Sequence, residues 1–238
     1  MNYRTFLTVA LSAVITFLAL RYNINFNVDL TLLSIAIIFP LVFTIRGSFR
    51  RREKALEHLS EFVSSIKTVR YFLLSSDELT DEKKAEVENI LHEINEKTLY
   101  HLSKKDNDIK TLDEISHKVY KFVLEKDNLV PAKLKDRVFK YARDMHESIE
   151  NLHGIHSHRT PISLMAYCEI FIYLFPVIYA PTIIYNLGVR EGDWVAYLVI
   201  FITQFTLISL YNIQNQLEYP FDNIGMDDIN LDNFKIKR

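Results

Sequence analysis

Three groups of residues in this 238-residue chain have the type and spacing to do chemistry. The first is a run of cations. Arg46, Arg50, Arg51, Arg52 and Lys54 follow directly on residues 30–45, which carry no charge. Within that apolar stretch Ile35, Phe39 and Phe43 recur every fourth position, so a helix stacks them along one face. Bulky apolar rings that end in a cluster of arginines suit an anion pore of several subunits, as a constriction and an electrostatic mouth. The same spacing also suits helix packing or lipid contact, and the arginines also suit anchoring to lipid headgroups. The second group is Glu169, a lone carboxylate inside an apolar stretch. At membrane depth it is a functional candidate; near the interface it would pair with a Tyr hydroxyl or an Arg. The third is His153, His156 and His158. Three imidazoles can bind zinc, but no carboxylate or thiol completes the set in sequence, and Gly154 suggests a helix end there. The expectation is no metal and a solvated interfacial turn that responds to pH. Cys168 stands alone in an apolar stretch, which excludes an internal disulfide and reads as packing, not as a nucleophile.

The elements that must position these groups are helices. The chain is 49% hydrophobic with only 5 Gly and 6 Pro, which leaves little turn material. A net charge of -2 gives no case for nucleic-acid binding. Charge is segregated: 22 of 28 Lys and Arg, 21 of 30 Asp and Glu and all 8 His lie in residues 46–159. That order reads as membrane, soluble domain, membrane. The expected division is 1–45, two transmembrane helices; 46–159, a cytosolic helical domain; 160–217, two more transmembrane helices; and 218–238, a cytosolic tail. The first span, 5–20, competes with a signal peptide, but no small-residue cleavage site follows it. The third, from Thr160 to about 185, carries Pro176 and Pro181, which should bend or break it. The fourth starts at Trp194 and runs to about 217.

Within 46–159 the apolar residues keep helical spacing, as in Leu56, Leu59, Val63, Ile66, Val69 and Leu73. Thr80 is a candidate N-cap, Thr111 with Glu114 a candidate capping box, and Asn128 and Pro131 a break. About four helices result, with no strand-like alternation. The short connectors hold one basic residue each, Arg21 and Arg190, so both termini and the helical domain are expected in the cytoplasm. The absence of a transit peptide points to a bacterial inner membrane. There is no nucleotide loop, nucleophile motif or zincin-like His pair, so an enzyme is not expected and no cofactor is implied.

Three segments carry a resemblance to the bestrophin family of pentameric anion channels, in its bacterial branch. LLSIAIIFPLVFTIRGSFRRREKA resembles the bestrophin pore helix, whose neck is three bulky apolar residues at four-residue spacing. RTPISLMAY resembles the TPIPFAY-like entry of the third span, through Thr160, Pro161, Ile162, Ala166 and Tyr167. LEYPFDNIGMDDINLD resembles the IExPFG…DLPLD segment, through Glu218, Pro220, Phe221, Asp228, Leu231 and Asp232. The resemblance implies an all-α membrane protein of four spans with a cytosolic bundle between spans 2 and 3, acting as a homopentamer. It implies a chloride-type anion channel in a lipid bilayer, with Ile35, Phe39 and Phe43 as the neck, the four arginines at the inner mouth, and Val130 at a second, cytosolic constriction. Three departures stand out. Arg50, Arg51 and Arg52 replace the family's Asp-Arg-Trp, Pro40 lies inside the neck, and the acidic run of the tail is interrupted. Asp227 and Asp228 therefore offer at most part of a calcium site, since calcium takes about six to eight oxygen ligands. A non-conducting, membrane-anchored helical scaffold or sensor fits the same composition and periodicity.

Overall fold

The computed structural model describes residues 3–104, 110–125, 130, 132–188 and 194–236. Among these, every regular element is helical: α1 (Tyr3–Arg21), α2 (Leu30–Leu74), α3 (Asp81–Ser103), α4 (Lys110–Glu125), α5 (Ala132–Ser157), α6 (Ile162–Leu187), α7 (Trp194–Leu217) and a short 3-10 turn, Leu231–Phe234. The chain divides into two compact units. Four helices are long and apolar enough to cross a membrane: α1, α2, α6 and α7.

The first unit takes the chain up to Arg50 together with Thr160–Glu218. Its α1 buries a stripe of small hydroxyl residues, Thr5, Thr8, Ser12 and Thr16. Their hydroxyls fold back onto the helix, with Thr8 donating to the Arg4 carbonyl at 2.9 Å and Thr16 to the Ser12 carbonyl at 2.7 Å. Small side chains let α1 lie close against α6 and α7, which is how helices pack when lipid removes the hydrophobic drive between them. Phe6, Leu7, Val14 and Phe17 point the other way and are exposed. A second cluster joins Ile37 and Leu41 of α2 to Cys168, Ile172 and Phe175 of α6 and to Leu207, Ile208 and Tyr211 of α7.

Prolines interrupt two of these helices in sequence but not in space. Pro40 lies inside α2, and Pro176 and Pro181 inside α6. A proline leaves the carbonyl four residues earlier without its helical donor. For Pro40 that carbonyl is Ala36, and the Tyr167 hydroxyl donates to it at 3.2 Å. For Pro176 it is Ile172, and Gln204 Nε2 donates to it at 3.0 Å. The break anticipated in the third span is absent: α6 runs through both prolines, and at Pro176 a neighbouring helix supplies the missing donor. Gly188 ends α6 in the left-handed conformation, φ 60°, where a side chain would be strained.

The second unit takes Arg51–Arg159 and the tail from Tyr219. The last turns of α2, with α3, α4 and α5, enclose one apolar core that includes Phe62, Leu91, Val119 and Met145. Phe221, Ile229 and Leu231 of the tail complete that core. Asn95, buried on α3, holds the tail by its amide: Nδ2 donates to the Phe234 carbonyl and Oδ1 accepts from the Ile236 N–H, both at 3.0 Å. Lys118 of α4 and Lys97 of α3 both hold Glu93, and their hydrogen bonds pull its carboxyl below the usual range.

One expected helix end falls where the sequence placed it, and two differ. Thr80 occupies the N-cap of α3, but its side chain makes no capping bond. Thr111 lies inside α4, which starts at Lys110, so it is not a cap. Gly154 does not stop α5, which continues to Ser157 because the last-turn bonds persist, His158 N–H still reaching the Gly154 carbonyl at 3.0 Å. Asn128 and Pro131 lie outside the described residues.

Candidate functional site

Helical periodicity of about 100° per residue divides α2 into two opposed faces. Ile37, Leu41, Thr44 and Ser48 are buried and cluster on one side. Ile35, Phe39, Phe43 and Arg46 fall on the other, and the three apolar side chains are 45%, 55% and 62% exposed. The Phe39 and Phe43 rings follow one another with centroids 6.2 Å apart. Arg46 and Arg50 extend the same face and are also exposed. One side of α2 is therefore used up by its own unit, and the side bearing the bulky rings is presented outward.

The register of that face is fixed from behind. Tyr167 grips the Ala36 carbonyl one turn before Pro40. Glu218, only 2% exposed, accepts from the Ser48 hydroxyl at 2.8 Å, from the Thr160 N–H at 2.7 Å and from the Thr160 hydroxyl at 2.7 Å. Bonds from N–H and O–H donors are what a buried carboxylate requires. A single side chain thus ties the inner part of α2 to the start of α6 and the end of α7. Glu218 lies in the LEYPFDNIGMDDINLD segment, but its partners are far away in sequence, and nothing local marks them.

Arg51 and Arg52 behave differently from Arg46 and Arg50. Arg51 Nη1 donates to the Ile155 carbonyl at 3.2 Å and to the His158 carbonyl, at the C-terminus of α5. Cations are favoured there by the helix dipole and the unfilled carbonyls. Arg52 Nε donates to the Asp227 carbonyl at 2.6 Å. Both guanidinium groups are thus engaged with the backbone of the second unit.

Glu169 is paired with an arginine and a tyrosine: Arg4 Nη1 lies 3.3 Å from Oε1, and the Tyr211 hydroxyl donates to Oε2 at 3.0 Å. It ties α1, α6 and α7 together. Val130 is 2% exposed and packs in the core of the second unit. The histidine trio separates. His153 and His156 approach His101 of α3, with His101 Nε2 and His153 Nδ1 3.0 Å apart, while His158 Nδ1 pairs with the Ser157 hydroxyl at 3.0 Å. His101 is about fifty positions away in sequence and had no signal there.

The acidic tail does not form a calcium clasp. Asp228 Oδ2 accepts from the Gly225 N–H at 2.9 Å, and Asp222 Oδ1 from the Ile224 N–H at 3.1 Å. A side chain at position 225 would collide with Asp228 Oδ1, so only glycine lets the carboxylate lie against the backbone. Burial, and then Asp222, push the Asp228 carboxyl above the usual carboxylate range. With the Arg52 guanidinium already on the Asp227 carbonyl, these residues do not fit a calcium ion.

No protein-family model matches the chain, and no curated protein matches it. Solved structures do. A variant of a bacterial bestrophin homologue from Klebsiella pneumoniae aligns with a TM-score of 0.83 at 15% identity, over 98% of this chain and 93% of that one. The homologue solved by Zn-SAD phasing gives 0.80 at 15% identity, over 98% and 93%. A further variant gives 0.76 at 15%, over 98% and 95%. The four apolar helices define a membrane protein, and its fold is that of the bacterial bestrophin homologues.

Proposed function

We propose that the chain is a bestrophin-family subunit that assembles as a homopentamer and conducts chloride or other small anions along a path lined by α2. The observation that carries this reading is the two-faced α2: the bulky apolar side chains of Ile35, Phe39 and Phe43 and the cations Arg46 and Arg50 share the one side its own unit leaves open. Five copies around an axis turn those side chains into stacked apolar rings below a basic mouth. A narrow apolar ring gates by dewetting and admits weakly hydrated anions more readily than strongly hydrated cations. Phenylalanine ring edges carry partial positive charge toward a passing anion, and the arginines raise its local concentration. Arg51 and Arg52 serve the second unit, and Glu169 fixes α1, α6 and α7 around the pore helix. In this reading the second unit is a cytosolic bundle between spans 2 and 3. Both termini lie in the cytoplasm of a bacterial inner membrane, and the protein is no enzyme.

The test is a planar-bilayer recording of the purified protein in asymmetric salt. The expected result is a current whose reversal potential follows the anion gradient and a larger conductance in the Phe39→Ala/Phe43→Ala double variant. A particle without an axial path, with Phe39 and Phe43 against the acyl chains, would overturn the reading in favour of an anchored scaffold.

A further inference from the structure

A separate cluster in the second unit brings metal-ligating atoms of two helices together. Asp113 stands in the first turn of α4, and His146 and Glu150 lie one turn apart on α5. One ligating atom from each lies within 4.8 Å of the other two. The imidazole is also oriented. Ser116 Oγ is 3.0 Å from the Asp113 main-chain carbonyl oxygen and 3.3 Å from His146 Nδ1. The carbonyl can only accept, so the single serine proton goes to it, and Ser116 Oγ accepts from Nδ1–H. The neutral imidazole then carries its proton on Nδ1 and leaves the Nε2 lone pair bare. Nε2 is the atom that faces Glu150, 4.0 Å from Oε1. A metal-bound histidine is held in this way, with its other N–H on an outer acceptor that fixes the tautomer.

Asp113 gives an independent sign. Its Oδ1 is buried and accepts no hydrogen bond. A buried carboxylate oxygen without a donor is costly, and a bound cation removes the cost.

We propose that Asp113, His146 and Glu150 bind a divalent transition metal of the zinc class and that the ion clips α4 to α5. One imidazole nitrogen with two carboxylate oxygens suits zinc and its neighbours; the nitrogen disfavours calcium or magnesium. Three protein ligands leave a coordination position for water. Zinc holds such donors at about 2.0–2.2 Å, so a tetrahedral ion needs them about 3.4 Å apart, and the three donors draw together from within 4.8 Å as the ion binds. This inference does not depend on conduction.

The test uses the full chain in detergent, titrated with zinc chloride in a calorimeter. The wild type is expected to bind one more zinc per chain than the isosteric Asp113→Asn/Glu150→Gln variant. That comparison subtracts any zinc held by other histidines. Zinc is also expected to raise the thermal midpoint of the wild type and leave that of the variant unmoved. Ser116→Ala keeps all three ligands but frees the tautomer, so the stoichiometry should stay while affinity falls about tenfold. Equal stoichiometry in the wild type and the double variant, or equal midpoint shifts, overturns the proposal.

Discussion

Pro40 stands within the four-residue repeat of Ile35, Phe39 and Phe43, and the side chain that compensates for it belongs to another helix. The Tyr167 hydroxyl holds the Ala36 carbonyl. Tyr167→Phe keeps the ring that packs against Phe171, centroids 4.3 Å apart, and removes only that donor. The expected cost is about 1 kcal/mol of stability, read by thermal unfolding in detergent. A midpoint identical to that of the wild type would show that the bond restrains nothing. At this scale the sequence was legible where chemistry follows from one residue and its helix. The outward face of α2 could be read from spacing alone. Partners across the fold could not. Arg51 and Arg52 were indistinguishable from Arg46 and Arg50 as a run of charges, because carbonyls at the end of α5 and in the tail decide their use. Glu218 and His101 were silent for the same reason.

Among elements, α1 is the clearest case of packing by small residues. Its hydroxyl stripe faces α6 and α7, and its large side chains face outward. Ser12 is 2% exposed, so Ser12→Leu forces bulk into a close helix contact and should destabilise by about 1–3 kcal/mol. Val14, on the outer face, should accept Leu without measurable change. A thermal-unfolding comparison of the two variants checks both, and equal midpoints would remove the stripe from the account. The existence of the helices was legible because long apolar windows and 3.6-residue periodicity are strong signals. Their ends were less so. Thr111 looked like a cap, yet α4 begins before it, and Gly154 looked like a stop, yet α5 runs on. Propensity at single positions yields to the bonds that neighbouring turns supply. The same holds for Pro176, whose break was averted by Gln204, a residue in α7.

For the molecule as a whole, the segment after α7 is an integral part of the second unit. Asn95 holds it with two hydrogen bonds through one buried amide. Asn95→Leu removes both and leaves a backbone donor and acceptor without partners, at an expected cost of about 2 kcal/mol. Hydrogen exchange at residues 229–236 should accelerate in that variant while the amides of α6 and α7 stay as protected as before. Unchanged exchange would mean that the apolar contacts of Phe221, Ile229 and Leu231 suffice. The order of synthesis gives this arrangement a further consequence. A ribosome delivers α3, α4 and α5 first, then two membrane helices, and only afterwards the three side chains that close the bundle. Until translation passes residue 231, the nascent bundle carries an open apolar seam, a surface for chaperones to cover while α6 and α7 are being inserted.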